Sequence, residues 1–466
     1  MITLGMMDED VQQEQIDAYF DKVKKITRFD WRNKGLKHEK KNDFRKFKKF
    51  IPDKTREIPE LEIKKVQTIL KNAGFFPNGK ADGICGYSTL SAIRLFQEYI
   101  RSIEGNSEIT PDGLTGNTTF KSLKAWEDAD RKADWTDTIN AWQAWVDNGN
   151  TIPQSVDTEY AKWLRFLDKV KEHYLQTPNA MLQEVNKFPH TSTVDTLKVA
   201  DWDFSPGYIH LIGVRRKSSG DTATFNDILV LLINGMVFKF LGSTDPGSTV
   251  NPAGFPFLVQ GQHKYHFGWH NLSQPAKTHQ ALKPIHADVN QGVLVVRAIP
   301  PGMEAGFEKL RQAIRNNLRP LPRQFFSARN FGITQNELAK GLKPNHTINI
   351  HWAGAGLDSN TKGAKVVGTW SDGCQVITGA GYINHHNQSV DCSRFAAAGN
   401  DDVGTQANNI IKTRGAYNVL LDLVAAFGSN RGEEVRYMLL IEEDIARDAE
   451  ITGILQDART KSGIKI

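Results

Sequence analysis

The chain is expected to be a multidomain α + β protein: a small three-helix module, a helical linker region, and a mostly β domain with helical insertions. Three observations predict this. At 466 residues the chain exceeds what one hydrophobic core sustains and should divide into two or three units. Up to about residue 185, apolar residues recur at helical spacing around glycine-containing loops. From about residue 200 the texture changes to apolar runs of strand length separated by turn formers. The expected divisions are 1–57 (a basic arm), 58–125 (the helical module), 126–199 (the linker region), 200–445 (the β domain) and 446–466 (a C-terminal tail).

The arm concentrates charge. Between Asp21 and Arg56 there are 15 Lys/Arg against 5 Asp/Glu, although the whole chain carries only +5. Such a patch suits an anionic wall polymer, an acidic membrane face, nucleic acid, or a solvated arm. Its aromatics, Phe29, Trp31, Phe44, Phe47 and Phe50, suggest some packing, and nothing matches a nucleic-acid-binding motif, so no nucleic-acid partner is expected. No run approaches the roughly 18–20 apolar residues of a membrane span, so no integral membrane segment is expected. The segment Met1–Asp10 lacks the basic flank and apolar run of a signal peptide, which predicts synthesis in the cytoplasm without one. Cys85, Cys374 and Cys392 form no CxxC pair and suggest neither a disulfide framework nor a zinc ribbon. No metal or cofactor is expected.

In the module, Leu61, Ile63, Val66, Ile69 and Leu70 mark one helix, ended at Ala73-Gly74. After the turn-rich stretch 78–86, a second helix starts at Ser88 with Leu90, Ile93, Leu95 and Phe96 on its apolar face. A third follows Pro111, carrying Thr119, Phe120 and Leu123. The loops echo each other: Asp-Gly-(Ile/Leu)-x-Gly-x-x-Thr occurs at 82–89 and again at 112–119. Gly83, Gly86, Gly113 and Gly116 permit tight loops, while Asp82, Asp112 and the threonines can hydrogen-bond backbone at the loop and helix start.

The linker region holds Trp126, Trp135, Trp142, Trp145 and Trp163, half of the chain's ten tryptophans. They read as helix-packing residues, with a carbohydrate-stacking surface as the alternative. In the β domain, strands are expected at 208–214, 227–233, 236–240, 292–297, 347–351, 375–377 and 435–441. Asn234-Gly235 is a hairpin turn, and helical insertions are expected near 305–320 and 403–428.

Two segments carry chemistry. Asn349-Ile350-His351-Trp352-Ala353-Gly354 is a strand that brings a histidine to a glycine-containing loop. In Gly368-Thr369-Trp370-Ser371-Asp372-Gly373-Cys374-Gln375-Val376-Ile377, a turn delivers a cysteine to the start of an apolar strand. A thiol is mostly protonated at neutral pH, so a nucleophilic cysteine needs an imidazole beside it. The preceding glycine leaves room for a carbonyl, and the Gly373 and Cys374 N–H groups are candidate oxyanion donors. A buried structural cysteine remains the alternative. Trp370, Ser371, Asp372, Gln375 and His270 are candidate substrate contacts. His263, His266 and His270 fit no zinc spacing, since a strand puts 263 and 266 on opposite faces.

Ile348-x-Ile350-His351 with Ser371-x-Gly373-Cys374-x-Val376 resembles the L,D-transpeptidase (YkuD-type) motif, and the stretch 58–125 resembles the peptidoglycan-binding domain 1 family. The first resemblance implies a β-sandwich-like fold with His and Cys on adjacent strands. It also implies a Cys374 thioester with the stem peptide and His351 as general base, oriented by the Trp352 carbonyl. Asp372 stands where that family has histidine, and no arginine of the usual kind follows Gln375. Together the two resemblances imply bacterial peptidoglycan as partner and a wall-active cysteine enzyme, transferase or hydrolase; with no signal peptide expected, delivery as a secreted antibacterial effector or phage lysin is the expectation. A secretion-system component or an immunity protein would then accompany it. The competing reading is a non-catalytic wall-binding or virion structural protein.

Overall fold

The computed structural model describes residues 1–27, 62–216, 225–246, 254–270, 279–298, 308–309, 312–313, 316, 333, 335–356, 367, 370–407, 410–428 and 434–463. The arm's aromatics, Gly368, Thr369 and most of the expected 305–320 insertion lie outside the described residues.

Four helices make the N-terminal part: α1 (Gln13–Thr27), α2 (Ile63–Asn72), α3 (Tyr87–Ser102) and α4 (Asn117–Asp128). The echo in the sequence is an echo in hydrogen bonding. The Gln67 amide donates to Asp82 Oδ1 (2.8 Å), the Ile84 carbonyl (3.0 Å) and Thr89 Oγ1 (3.0 Å), and its Oε1 accepts from Gly83 N–H (2.9 Å). Thirty residues on, Gln97 donates to Asp112 Oδ1 (3.1 Å), the Leu114 carbonyl (3.0 Å) and Thr119 Oγ1 (3.1 Å), and accepts from Gly113 N–H (2.8 Å). Each glutamine sits on the preceding helix and staples the following loop, which the left-handed Gly83 (φ 74°) and Gly113 (φ 83°) make possible. A Cβ on Gly113 would come within 2.5 Å of Leu90 Cδ1.

The first residues lie against this module rather than apart from it. Ile2 pairs with Thr115 and Met7 with Ile84, and the Asp8 carboxylate accepts from Ile63 and Lys64 N–H at 2.9 Å each, capping α2. Cys85 is fully buried.

The linker region supplies α5 (Thr136–Asp147), α6 (Glu159–Gln176) and α7 (Ala180–Lys187). Its tryptophans pack: Trp126, Trp135, Trp142 and Trp163 are buried, and Trp142 Nε1 donates to the Pro206 carbonyl at 2.7 Å. The half-buried Trp145 stacks on Tyr160.

The β region closes on itself. Its strands are β1 (Ile209–Arg215), β2 (Asp227–Ile233), β3 (Met236–Ser243), β4 (Phe255–Leu258), β5 (Gly261–His270), β6 (His279–Pro284), β7 (Val293–Ala298), β8 (Lys343–Asn345), β9 (Ile350–Trp352), β10 (Gln375–Ile383), β11 (Ser389–Asp391), the short pair β12 (Gln406–Ala407) and β13 (Ile410–Ile411), and β14 (Glu434–Ile441). The order β10-β3-β2-β1-β14-β5-β6-β9 returns from β9 to β10, giving an eight-stranded barrel with β11 added outside β10. The resemblance implied a sandwich. The difference lies in β9, whose pairing with both β6 and β10 leaves no open edge there. Asn234 (φ 47°) and Gly235 (φ 83°) both take the left-handed values that a two-residue hairpin turn needs.

Strand residues alternate between two cores. Leu211, Leu229, Leu231, Phe240, Tyr265 and Tyr437 share a core with Phe75, Phe96 and Trp126 of the helical module. Ile212, Val230, Leu241 and Met438, on the opposite faces, pack with Trp163 and Phe166 of α6. The remaining helices are α8 (Gln335–Leu338), α9 (Ala416–Phe427), α10 (Glu442–Ile445) and α11 (Ala449–Lys461). The α9 helix is apolar nearly all round and buried along its length, and Asp422 on it receives Arg94 Nε from α3 at 2.8 Å. Beside it, Tyr382 of β10 donates to Glu98 at 2.8 Å and Tyr87 packs on Phe267. The expected C-terminal tail is helical in α11, whose Ile451, Leu455 and Ala458 close the outer core. Among the described residues, no helix is long and apolar enough to cross a membrane.

Candidate active site

Parallel pairing of β9 with β10 sets Gln375 beside Ile350, Val376 beside His351 and Ile377 beside Trp352. Extending the register by one residue puts Cys374 beside Asn349. Alternation then places Cys374, Asn349, His351 and Val376 on one face of the barrel wall, with His351 two residues, roughly 6–7 Å of strand, beyond the thiol. The opposite face, carrying Gln375, Ile377, Ile350 and Trp352, points into the barrel.

Cys374 is held by main chain. Its Sγ accepts from Asn349 N–H at 3.4 Å and its S–H donates to the Thr347 carbonyl at 3.3 Å. The residue is 9% exposed. Burial pushes its pKa up to about 12, the Asn349 N–H opposes the shift, and the Asp372 charge adds to it. At rest the group is a thiol.

His351 is 2% exposed, and its Nδ1 lies 2.8 Å from the Trp352 carbonyl oxygen. A carbonyl only accepts, so Nδ1 carries the proton and Nε2 keeps the lone pair of a base. This is the orientation expected of Trp352. Burial lowers the His351 pKa to about 4, outweighing that hydrogen bond, so the ring is neutral at physiological pH. The shared face therefore carries a thiol, bonded to main chain at Asn349 and Thr347, and a neutral imidazole with a free lone pair at Nε2, the two groups that general-base activation of a thiol requires.

Two further imidazoles flank His351. The rings of His270 and His351 stack at 4.4 Å with an 8° interplanar angle, and His279 lies 5.5 Å from His351 and 5.3 Å from His270. His270 and His279 face each other across the β5–β6 pairing. Asn349 donates its side-chain amide to His270 Nδ1 at 2.8 Å and to the Thr347 carbonyl at 3.1 Å. His270 thus reaches the site. His279, Asn349 and Thr347 join it without having been singled out. Asn349 was legible as the residue two before His351, on the same face of the strand.

The turn before Cys374 is fixed from inside. Ser371 Oγ donates to the Cys374 carbonyl at 2.7 Å and accepts from Gly373 N–H at 3.0 Å. Gly373 N–H, expected as an oxyanion donor, is therefore engaged by Ser371, which acts as a clamp on the loop. Gly373 has φ 154°, and a Cβ there would lie 2.6 Å from both Pro256 Cγ and its carbonyl oxygen. Only glycine fits. Asp372 is exposed at the rim, and the half-buried Trp370 packs edge-on to Trp352 at 5.3 Å. Gln375 departs from the expectation of a substrate contact. It points into the barrel and is fully buried, where Tyr437 donates to its Oε1 at 3.1 Å.

Of the other expected positions, Asp82, Gly83, Asp112 and Gly113 are held in the loop networks above, and Gly86 and Gly116 are the N-caps of α3 and α4. His263 turns inward with Nδ1 2.9 Å from Thr196 Oγ1, away from the face of His270. Cys392 is fully buried, near Arg101. Comparison of the chain with protein-family models, with curated proteins and with solved structures finds no match in any of the three.

Proposed function

We propose that this chain is a cysteine acyl-transfer enzyme acting on the stem peptides of bacterial peptidoglycan, with Cys374 as nucleophile and His351 as general base. The observation that carries the reading is the β9–β10 pairing, which sets a buried thiol and a tautomer-locked imidazole on one face of adjacent strands. In this scheme the Cys374 S–H leaves the Thr347 carbonyl, turns along the shared face to pass its proton to His351 Nε2, and Sγ attacks a stem-peptide carbonyl. The imidazolium returns it to the leaving amine, leaving a thioester. Water or an amine then releases the acyl group, giving hydrolysis or transfer. The Cys374 N–H is the oxyanion donor that remains in this scheme. The wall as substrate rests on the motif resemblances around 347–377 and across 58–125. Delivery as a secreted effector or lysin belongs to the same proposal.

A second reading has one observation in its favour. Burial holds the Cys374 thiol protonated and makes it a hydrogen-bond donor to a carbonyl, as in a structural cysteine. The protein would then bind wall without modifying it. Muropeptide analysis by liquid chromatography and mass spectrometry, on purified peptidoglycan treated with wild type or Cys374→Ala, separates the two. The enzyme reading expects altered stem-peptide species with wild type only. Identical profiles with both proteins retained on the wall support the binding reading.

A further inference from the structure

Asp134, His385 and His386 converge at a point that the chemistry of Cys374 does not use. His385 Nε2 lies 3.0 Å from Asp134 Oδ1 and His386 Nε2 lies 2.5 Å from Asp134 Oδ2. The ligating atoms of all three residues lie within 4.8 Å of one another, the one such group among the described residues. We propose that these side chains form a binding site for a divalent transition-metal ion of the zinc class, tying the helical region to the barrel.

The donor set is two imidazoles and a carboxylate, which borderline-soft divalent ions accept while keeping open positions for water. The scaffold holds the ligands before any ion arrives. His385 and His386 sit in the turn between β10 and β11, where Asn387 takes φ 58°. Asn384 Oδ1 accepts from His386 N–H at 3.0 Å and Gln388 N–H at 2.9 Å. Across the gap, Asp134 N–H donates to Tyr99 OH at 3.2 Å. His385 is wedged between Trp135, 5.2 Å away, and Phe238, 5.7 Å away. Its side chain is 9% exposed, and its Nδ1 is buried with no hydrogen-bond partner. The fold therefore buries this ring without satisfying it, and the ring's polar contact is through the nitrogen that faces Asp134.

Asp134 and His386 are partly exposed, which leaves a path for an ion to enter.

The test is calorimetric titration of the metal-stripped, tag-free full chain with zinc chloride, comparing wild type, His386→Gln and His386→Ala. His386 lies at the surface, so neither substitution removes core packing. Glutamine keeps a hydrogen-bond donor to Asp134 but is a poor zinc ligand, so it separates a metal site from a hydrogen-bonded clasp. One zinc per wild-type chain is expected, with at least a tenfold weaker association in both variants. Zinc is expected to raise the thermal midpoint of wild type alone. No zinc uptake by wild type, or equal affinity in wild type and His386→Gln, overturns the proposal.

Discussion

At the scale of residues, the candidate chemistry depends on protonation states set by burial. His351 is neutral because the barrel wall desolvates it, and its proton is assigned to Nδ1 by a carbonyl that can only accept. A base with pKa about 4 keeps its lone pair down to mildly acidic pH and loses it as pH falls through that value. The acid limb of kcat/KM is therefore expected near pH 4 rather than near the ordinary histidine value. A stem-peptide release assay between pH 4 and 8 checks this, and a limb centred near 6.5 contradicts it. His351→Ala is expected to lower kcat by about 100- to 10,000-fold, the usual worth of a general base, with the circular-dichroism spectrum unchanged. Cys374→Ala is expected to abolish turnover. The residues were legible in the sequence because a histidine on a strand and a cysteine after a glycine are local patterns. His279 was not, because it meets His351 only through long-range pairing of β5, β6 and β9.

At the scale of elements, two devices fix geometry. The first is the turn before Cys374, where glycine is required both by its φ and by Pro256. Gly373→Ala is expected to destabilise the fold by about 2–5 kcal/mol, combining backbone strain with overpacking, measured as a shift in urea midpoint. A shift within error would mean the turn relaxes freely. The second is the repeated glutamine staple. Gln97→Ala leaves Gly113 N–H without its acceptor and takes one donor each from Asp112 and the Leu114 carbonyl, which keep Leu114 N–H and Thr119 Oγ1, at a cost of about 1–3 kcal/mol, and Gln67→Ala is expected to behave alike. The Asp-Gly echo was legible, and its partner glutamine stands fifteen residues before each aspartate, one on each preceding helix. The strand β5 was not foreseen as a ten-residue strand. Its C-terminal part does alternate, with Tyr265, Phe267 and Trp269 buried and Lys264, His266 and His270 on the other face, but the polar start Gln262-His263 and two glycines break the apolar run that marks the other strands.

At the scale of the molecule, the helical module is not a bead on a linker. Its α3 is buried against α9 and β10, and Arg94 reaches Asp422 inside that interface. Burial raises Asp422 to about 6 even against the pull of Arg94. Removing the guanidinium leaves a buried acid unpaired, so Arg94→Ala is expected to cost about 3–5 kcal/mol. It should lower the single thermal transition of the whole chain rather than split off a module. Two separate transitions by calorimetry would contradict a shared core. Helical periodicity and strand runs foretold the mixed α + β composition, but not this joint packing. The barrel's closure through the three-residue β9, and the meeting of Asp134 with His385 across 251 residues, have no local signature.

Cys374 is proposed to carry a covalent acyl intermediate. Wild-type protein mixed with muropeptides carrying intact stems, quenched in acid and mapped by peptide mass spectrometry, tests it most directly. The expected result is a stem-peptide adduct on the fragment containing Cys374 that hydroxylamine removes and that Cys374→Ala lacks. An unmodified Cys374, whether the stem peptides turn over or stay intact, would contradict it.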